Sequence, residues 1–477
     1  MKELNLSAVE VTRTDPVKVV QFGEGNFLRA FVDWILDDLN NQGKLNGQVS
    51  IVQPIKEGLT DLINKQDGLY HVFTEGIVDG EQVEDIRLIK SVMNCIDPFE
   101  SYQDYISLAE IDTLEFVVSN TTEAGIQFIN EEMPEGKAAR SFPGKLTQFL
   151  YQRYQYFNAD IKKGLTILPC ELIENNAGEL KKCIFQHIDA WNLGDDFKGW
   201  LLNANSFHNT LVDRIVTGFP KGRIEEYQNK VGYNDNLIVT AEHYHLWVIE
   251  GTNNERLHQL FDDSNLNVLL VDDLQPYRTR KVRILNGAHT SMVPVGLLHG
   301  NSTVKQTVEA SFTKQFVEDL LFNEVCPTLD FPEEVIKSYT EAILNRFKNP
   351  AIKHQLSSIA LNSISKFRVR VLPSILEHES KYGKLPDNLV LAFAALIVFY
   401  KGKDMPVNDD RGIEAYFKGL WNKNSIEEIV KSVLENNDLW GRSLIDLPGL
   451  SDMLCRNINL IEEKGIEEAW IESCNNH

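Results

Sequence analysis

One stretch near the N-terminus constrains this chain more than any other. Residues 17–22 (VKVVQF) read as a buried strand that stops at Gly23-Glu24-Gly25. Residues 26–39 then place Phe27, Ala30, Phe31, Trp34 and Ile35 at helical spacing. A strand that runs through a Gly-x-Gly turn into an amphipathic helix is the opening of a parallel α/β sheet, because parallel strands need a crossover connection. The alternation continues. Residues 49–52 form a second strand, ended by Pro54. Residues 69–92 read as a hairpin turned at Asp79-Gly80, and 114–119 (LEFVVS) and 165–168 (LTIL) as further short buried strands. From about residue 276 the pattern changes to helix: 306–322, 333–347, 387–400, 409–420, 425–437 and 449–473. The expected architecture is α/β: a Rossmann-type N-terminal domain over 1–275, followed by a mostly α-helical domain over 276–477.

Charge and composition narrow the function. Lys and Arg number 47 against 69 Asp and Glu, a formal net charge of −22. That balance argues against a nucleic-acid partner or an anionic membrane surface, but leaves room for an anionic small molecule held by local cations. The longest apolar run, 389–400, has 12 residues against the ~20 of a membrane span, and it follows the helix-start signal Pro386-Asp387-Asn388. It reads as a core helix. The N-terminal MKELNLSAVEVTRTD has no apolar stretch, so no signal peptide is expected. The cysteines (95, 170, 183, 326, 455 and 474) are scattered without a CxxC, which suits reduced thiols in a cytoplasmic protein and no metal knuckle.

Gly23 and Gly25 stand where backbone N–H groups and a helix N-terminus receive a dinucleotide pyrophosphate. Leu28 replaces the third glycine of the fingerprint. Gln53 and Pro54 stand where an acid would meet the ribose. An ordinary strand-to-helix turn is the other reading. In Lys281-Val-Arg-Ile-Leu-Asn286-Gly-Ala-His289, a helix would place Asn286 and His289 about 140° and 80° from Lys281, within one broad sector. Lysine can exchange a proton, and Asn and His can hydrogen-bond an oxygen that gains charge. The competing reading is a strand KVRIL ended by an Asn-Gly turn.

Two strand ends carry polar sets: 119–125 (SNTTEAG, with Asn120, Thr121 and Glu123) and 169–176 (PCELIENN, with Asn175 and Asn176). Each is a ligand edge or a helix cap. A basic segment holds Lys353, His354, Lys366, Arg368 and Arg370, which bind a carboxylate or phosphate or form a solvated face. His243 and His245 share a face if they lie on a strand, but no third ligand is near and no metal is expected. The chain has no GxSxG, Walker loop or HExxH.

Together these segments resemble the mannitol dehydrogenase family of polyol-specific long-chain dehydrogenases. The resemblance rests on QFGEGNFLRAF, VSNTTEAG, NSFHNTLVDRIVTG, AEHYHLWVIEG, KVRILNGAHTSMVP and RFKNPAIKHQLSSIALNSISKFRVRVLP, and spans almost the whole chain. It implies a Rossmann-type domain, a helical domain, an active site between them, and metal-independent hydride transfer with NAD. Position by position, it makes Lys281 the general acid/base, Asn286 and Asn176 the oxyanion-stabilising pair, and His289 the substrate-orienting histidine. It assigns the cofactor to Gly23, Glu24, Gly25, Asn26 and Phe27, with Asn120 and Thr121 on the nicotinamide side. No Arg adjoins Gln53 to take a 2′-phosphate, which agrees with NAD.

Within the family, the resemblance points to members that interconvert D-tagaturonate and D-altronate. A hexuronate or aldonate carboxylate gives the basic segment a purpose, with His354, Lys366, Arg368 and Arg370 as candidates. A fructuronate reductase, a mannitol-type dehydrogenase and a non-catalytic sugar-acid sensor are the alternatives. The intact Lys281/Asn286/His289 set speaks against the sensor. The oligomeric state stays open.

Overall fold

The computed structural model describes residues 1–11, 13–78, 81–122, 124–350, 354–402, 407–422 and 425–474. Asp79, Gly80, Glu123 and Lys353, all used in the sequence reading, lie outside these residues. The chain divides into two compact units that break between Leu274 and Gln275, with Ile77, Val78 and Glu81 grouped with the second.

The first unit is built on a six-stranded parallel sheet. Its strands, numbered along the chain, are β1 (Val17–Phe22), β2 (Gln48–Val52), β3 (Val92–Ile96), β4 (Phe116–Ser119), β5 (Thr166–Pro169) and β6 (Ser206–Phe207). Their order is 3-2-1-4-5-6 and every pairing is parallel. This is the doubly wound dinucleotide-fold order, in which the strand sequence reverses between β1 and β4.

The central strands are apolar on both faces, and alternate side chains feed different cores. Val19, Val49, Ile51, Phe116 and Val118 pack with Phe31, Trp34 and Ile35 on one face. Val20, Phe22, Val52, Val117 and Ile167 pack with Leu146, Phe149 and Ile184 on the other. Three further small sheets lie mainly in this unit. One sets Tyr70–Val78 beside Glu81–Ile89, the two arms of the expected hairpin.

The helix expected over 26–39 is two helices, α1 (Asn26–Ala30) and α2 (Val32–Asn41), broken at Phe31 (φ −122°, ψ −72°). The Phe31 ring stacks on Phe27 at 5.1 Å and meets Trp247 edge-on at 5.8 Å, contacts that no local periodicity reports. His243 and His245 fall between strands Val239–Glu242 and Leu246–Glu250, not on one strand. The His245 Nε2 accepts from the Asn267 N–H at 3.0 Å.

The second unit is helical. Asp387–Phe399, the apolar run of the sequence, is its central helix and is buried almost throughout. It packs with Gly287–His299 and Leu450–Lys464 in one hydrophobic core. Capping boxes at Thr303 and Ser425 start Val304–Glu309 and Ile426–Glu435. The stretch 306–322 is not one helix: it breaks at Ala310 (ψ 137°), and a π turn covers Leu320–Val325. The stretch 449–473 breaks at Gly465, where φ is +87°. Helices Ser363–Arg370 and Leu372–Tyr382 were not anticipated individually. Their β-branched residues are held helical by the packing around them, which overrides weak local propensity. Among the described residues no helix is long and apolar enough to cross a membrane. No group of three or more His, Cys, Asp or Glu converges on a metal-sized site there.

Candidate functional site

In the first unit the predicted residues collect at the carboxyl ends of β1, β4 and β5. The Gly23 N–H donates to the Val52 carbonyl at 3.0 Å, and Gly23 has φ +123°. A Cβ at Gly23 would sit 3.0 Å from the Asn120 carbonyl oxygen and 3.1 Å from Leu28 Cδ1. The chain itself therefore demands glycine here, because the loops after β1 and β4 touch at this point. Gly25 differs. Its φ is −66° and no protein atom lies within 4 Å of where its Cβ would be. Open space at the first turn of α1 lets a ligand reach the backbone N–H groups.

Arg29 lies within the same motif. Its guanidinium is buried and spends itself on the loop. Nε donates to the Glu24 carbonyl at 3.0 Å, Nη1 to the Leu237 carbonyl at 2.5 Å and Nη2 to Asn26 Oδ1 at 2.8 Å. Asp33 and Asp235 supply nearby negative charge. The Glu24 carboxyl is nearly buried. Burial pushes its pKa up, while its own N–H, the Arg29 charge and the Leu59 N–H pull it down. Phe27 packs against Phe31.

Glu171 is not singled out by the sequence. Its carboxylate accepts from the Thr121 N–H at 2.9 Å, Thr121 Oγ1 at 3.1 Å and Ser119 Oγ at 3.1 Å, so it ties the β4 end to the β5 end. Burial raises its pKa. Asn120 Nδ2 donates to the Cys170 carbonyl at 3.3 Å.

Asn176 is held by backbone in this structure. Its Nδ2 faces three carbonyls, those of Pro169, Glu171 and Thr210, at 3.0–3.1 Å, and its Oδ1 accepts from the Ala177 and Thr210 N–H groups. An amide has two N–H bonds to give. Asn176 is thus a buried knot in the backbone, with no donor left for a reacting oxygen. Its neighbour Asn175 is exposed and left-handed (φ 51°).

In the second unit, the segment carrying Lys281, Asn286 and His289 is helical throughout, which removes the strand-and-turn reading. Gln275–Lys281 passes through a π turn, Val282–Asn286, into Gly287–His299. In a π turn residue i bonds residue i+5. Asn286 therefore lies one full turn on from Lys281, closer to its face than the uniform α spacing of the sequence reading allowed.

The flanking arginines anchor the segment. Arg283 donates to Ser374 Oγ at 3.0 Å and pairs with Glu377 at 2.7 Å. Arg280 lies 4.1 Å over the Tyr339 ring. Lys281 and Asn286 are half-buried, and His289 is buried. A Cβ at Gly287 would meet the Arg370 carbonyl at 3.2 Å, so the small residue admits that chain.

The basic candidates separate. His354 meets His289 edge-on at 5.0 Å, and burial lowers its pKa. Lys366 and Arg370 share one helix. Lys366 Nζ donates to the Ile359 carbonyl at 2.9 Å, and its pKa is lowered by burial and by the Arg370 charge. The Arg368 guanidinium lies over Gly441, where a Cβ would sit 2.6 Å from Nη2.

Comparison with known proteins agrees with this anatomy. Residues 17–259 match the Mannitol dehydrogenase Rossmann domain profile, and 273–461 match the Mannitol dehydrogenase C-terminal domain profile. The chain is 44% identical over 476 residues to an altronate oxidoreductase of Bacillus subtilis strain 168, covering 99% of this chain and 98% of that protein. It is 42% identical over 474 residues to one of Phocaeicola vulgatus, covering 98% and 99%.

Among solved structures, the Pseudomonas fluorescens mannitol 2-dehydrogenase ternary complex with NAD and D-mannitol aligns at a TM-score of 0.72 and 20% identity, covering all of both chains. A D-sorbitol dehydrogenase in substrate-free form aligns at 0.81 and 19% identity, covering 98% and 100%. These structural likenesses speak to the fold. With both family domains matched in order and full-length relatives at this identity, the chain belongs to the mannitol dehydrogenase family.

Proposed function

We propose that this protein is an NAD-dependent reductase that interconverts D-tagaturonate and D-altronate. The carrying observation is the continuous helical run in which a π turn re-phases Asn286 toward Lys281, in a chain whose full-length relatives are named altronate oxidoreductase. Gly23 and Gly25, with Glu24, Asn26 and Phe27, form the cofactor loop, and Asn120 and Thr121 line its nicotinamide side. The open space at Gly25 and the reversal of strand order between β1 and β4 fit a dinucleotide. NADH supplies the hydride that the ketone carbon receives.

Lys281 donates a proton to the ketone oxygen in reduction and takes it back in oxidation. The Asn286 amide holds that oxygen while it carries charge. His289 orients the substrate hydroxyls. Asn176 supports the loop after β5 instead of touching substrate. The substrate carboxylate belongs with His354, which packs on His289, and with Arg370, whose backbone carbonyl lies beside Gly287. The scheme assigns no role to a metal. A cytoplasmic setting suits the free thiols of Cys95, Cys170, Cys183, Cys326 and Cys455.

The test is NADH oxidation by the purified protein with D-tagaturonate, D-fructuronate and D-fructose in parallel. Preference for tagaturonate is expected. Preference for fructuronate would move the substrate stereochemistry, and preference for fructose would remove the carboxylate. Lys281→Ala should abolish turnover while NADH still binds. Turnover surviving in that variant would overturn the proton-transfer assignment.

A further inference from the structure

Dinucleotide folds commonly place an acid at the end of β2, where it accepts hydrogen bonds from the adenosine ribose. Here Gln53 holds that position, and its side chain is fully used. Nε2 has two N–H bonds for three facing acceptors, the Ile55 and Lys56 carbonyls at 2.9 and 3.0 Å and Asp97 Oδ2 at 3.2 Å. Oε1 accepts from the N–H and Oγ1 of Thr60 at 3.3 and 2.8 Å. Gln53 builds the loop after β2 and has nothing left for a ligand. Asp97, the acid beyond β3, accepts from that same amide and from the Phe99 N–H at 2.8 Å.

Glu24 reaches this place from the other side. It stands between the two glycines of the β1 loop, yet its carboxylate extends to the β2 loop. A Cβ on Gly58 would lie 2.1 Å from Gln53 Oε1 and 2.5 Å from Glu24 Oε1, so the two side chains meet over Gly58. The Leu59 backbone favours the charged Glu24 carboxylate there, and Arg29 fixes the Glu24 carbonyl from behind. We propose that Glu24 supplies the acid missing from β2: its carboxylate accepts the adenosine ribose hydroxyls of NADH and repels the 2′-phosphate of NADPH. A carboxylate offers two oxygens to a vicinal diol, and its charge opposes a phosphate dianion at the same place. This inference rests on the NAD-dependent reading.

The test is direct titration of NADH and NADPH by fluorescence on the wild-type protein, Glu24→Gln and Glu57→Gln, with thermal melts to confirm folding. Glu57, exposed on the same β2 loop, is the rival acid. The wild type should favour NADH. Glu24→Gln should raise the NADH Kd by about tenfold, as expected for loss of a charge-assisted hydrogen bond, and narrow the NADH-to-NADPH preference by at least as much. Glu57→Gln should change neither. An NADH analogue without the adenosine 2′-hydroxyl should bind the wild type less well and lose nothing further in Glu24→Gln. If Glu24→Gln keeps the wild-type preference, or if Glu57→Gln loses it instead, the proposal is overturned while NAD dependence stands. If the wild type binds neither dinucleotide, the NAD reading falls and this assignment falls with it.

Discussion

Arg29 Nε donates to the Glu24 carbonyl oxygen at 3.0 Å, so a buried guanidinium closes the glycine-rich loop onto the helix that follows it. The same group reaches Leu237, 208 residues away in sequence, and lies 5.2 Å over the Tyr70 ring. Arg29→Met should cost about 1–3 kcal/mol or more in urea unfolding, because the Glu24 and Leu237 carbonyls and Asn26 Oδ1 lose a buried charged donor. It should also weaken NADH binding in titration. Arg29→Lys keeps the charge but cannot span three acceptors, so it should recover stability only in part.

Gly23 and Gly25 should fail differently. Gly23→Ala forces a Cβ into a φ of +123° and against the Asn120 carbonyl, so its thermal midpoint should drop. Gly25→Ala meets no protein atom and needs no unusual backbone angle, so it should melt like the wild type and lose NADH affinity alone. Equal melting of the two variants would contradict this division.

The basic side chains of the second unit should divide as well. His354→Ala and Arg370→Ala should each raise the KM for the hexuronate by about tenfold or more, the scale of one charge-assisted contact. Arg368→Ala, whose side chain lies over Gly441, should leave KM unchanged. Steady-state kinetics at saturating NADH decides it. A KM rise only in Arg368→Ala would reverse the assignment.

Asp33 sets a pH dependence. It is fully buried, accepts from Tyr70 at 2.8 Å, and burial pushes its carboxyl pKa up to about 7. An unfolded Asp titrates near about 3.9. Between those values the folded state holds the extra proton, so this group's stabilisation is complete below the unfolded pKa and is lost as pH rises through about 7. The slope from this group is at most about 1.4 kcal/mol per pH unit. Asp33→Asn should therefore flatten the decline of the thermal midpoint between about pH 4 and pH 7. An unchanged pH profile would show that Asp33 does not titrate in this window.

Much of this molecule was legible in the linear chain, and the reasons are local. VKVVQF followed by Gly-x-Gly shows as a strand and a turn because strand propensity and turn chemistry act over a few residues. The apolar stretch that became Asp387–Phe399 declared a core helix by its length and its start signal. Lys281, Asn286 and His289 stood out by residue type, and their resemblance to a family motif put them in one site.

Other features were not local and did not show. Periodicity ran straight through Phe31, where the helix breaks to seat a ring against Trp247. Asn176 looked like an active-site donor by type, but only folding brings the Thr210 carbonyl to its amide. Glu171 gave no sign that its carboxylate would join two strand ends.

The sequence by itself determined the alternation of strands and helices, the change to helix in the second half, and the chemical kinds of group available. Those follow from short-range periodicity, turn preferences and side-chain chemistry. The tertiary structure decided which polar groups are consumed and which remain to act. Gln53 is spent on its own loop, Asn176 on backbone, and Arg29 on a carbonyl next to a glycine, while the π turn turns Asn286 toward Lys281. Each of these outcomes rests on a buried hydrogen bond or a helical phase, and burial forces polar groups to find partners wherever the fold supplies them.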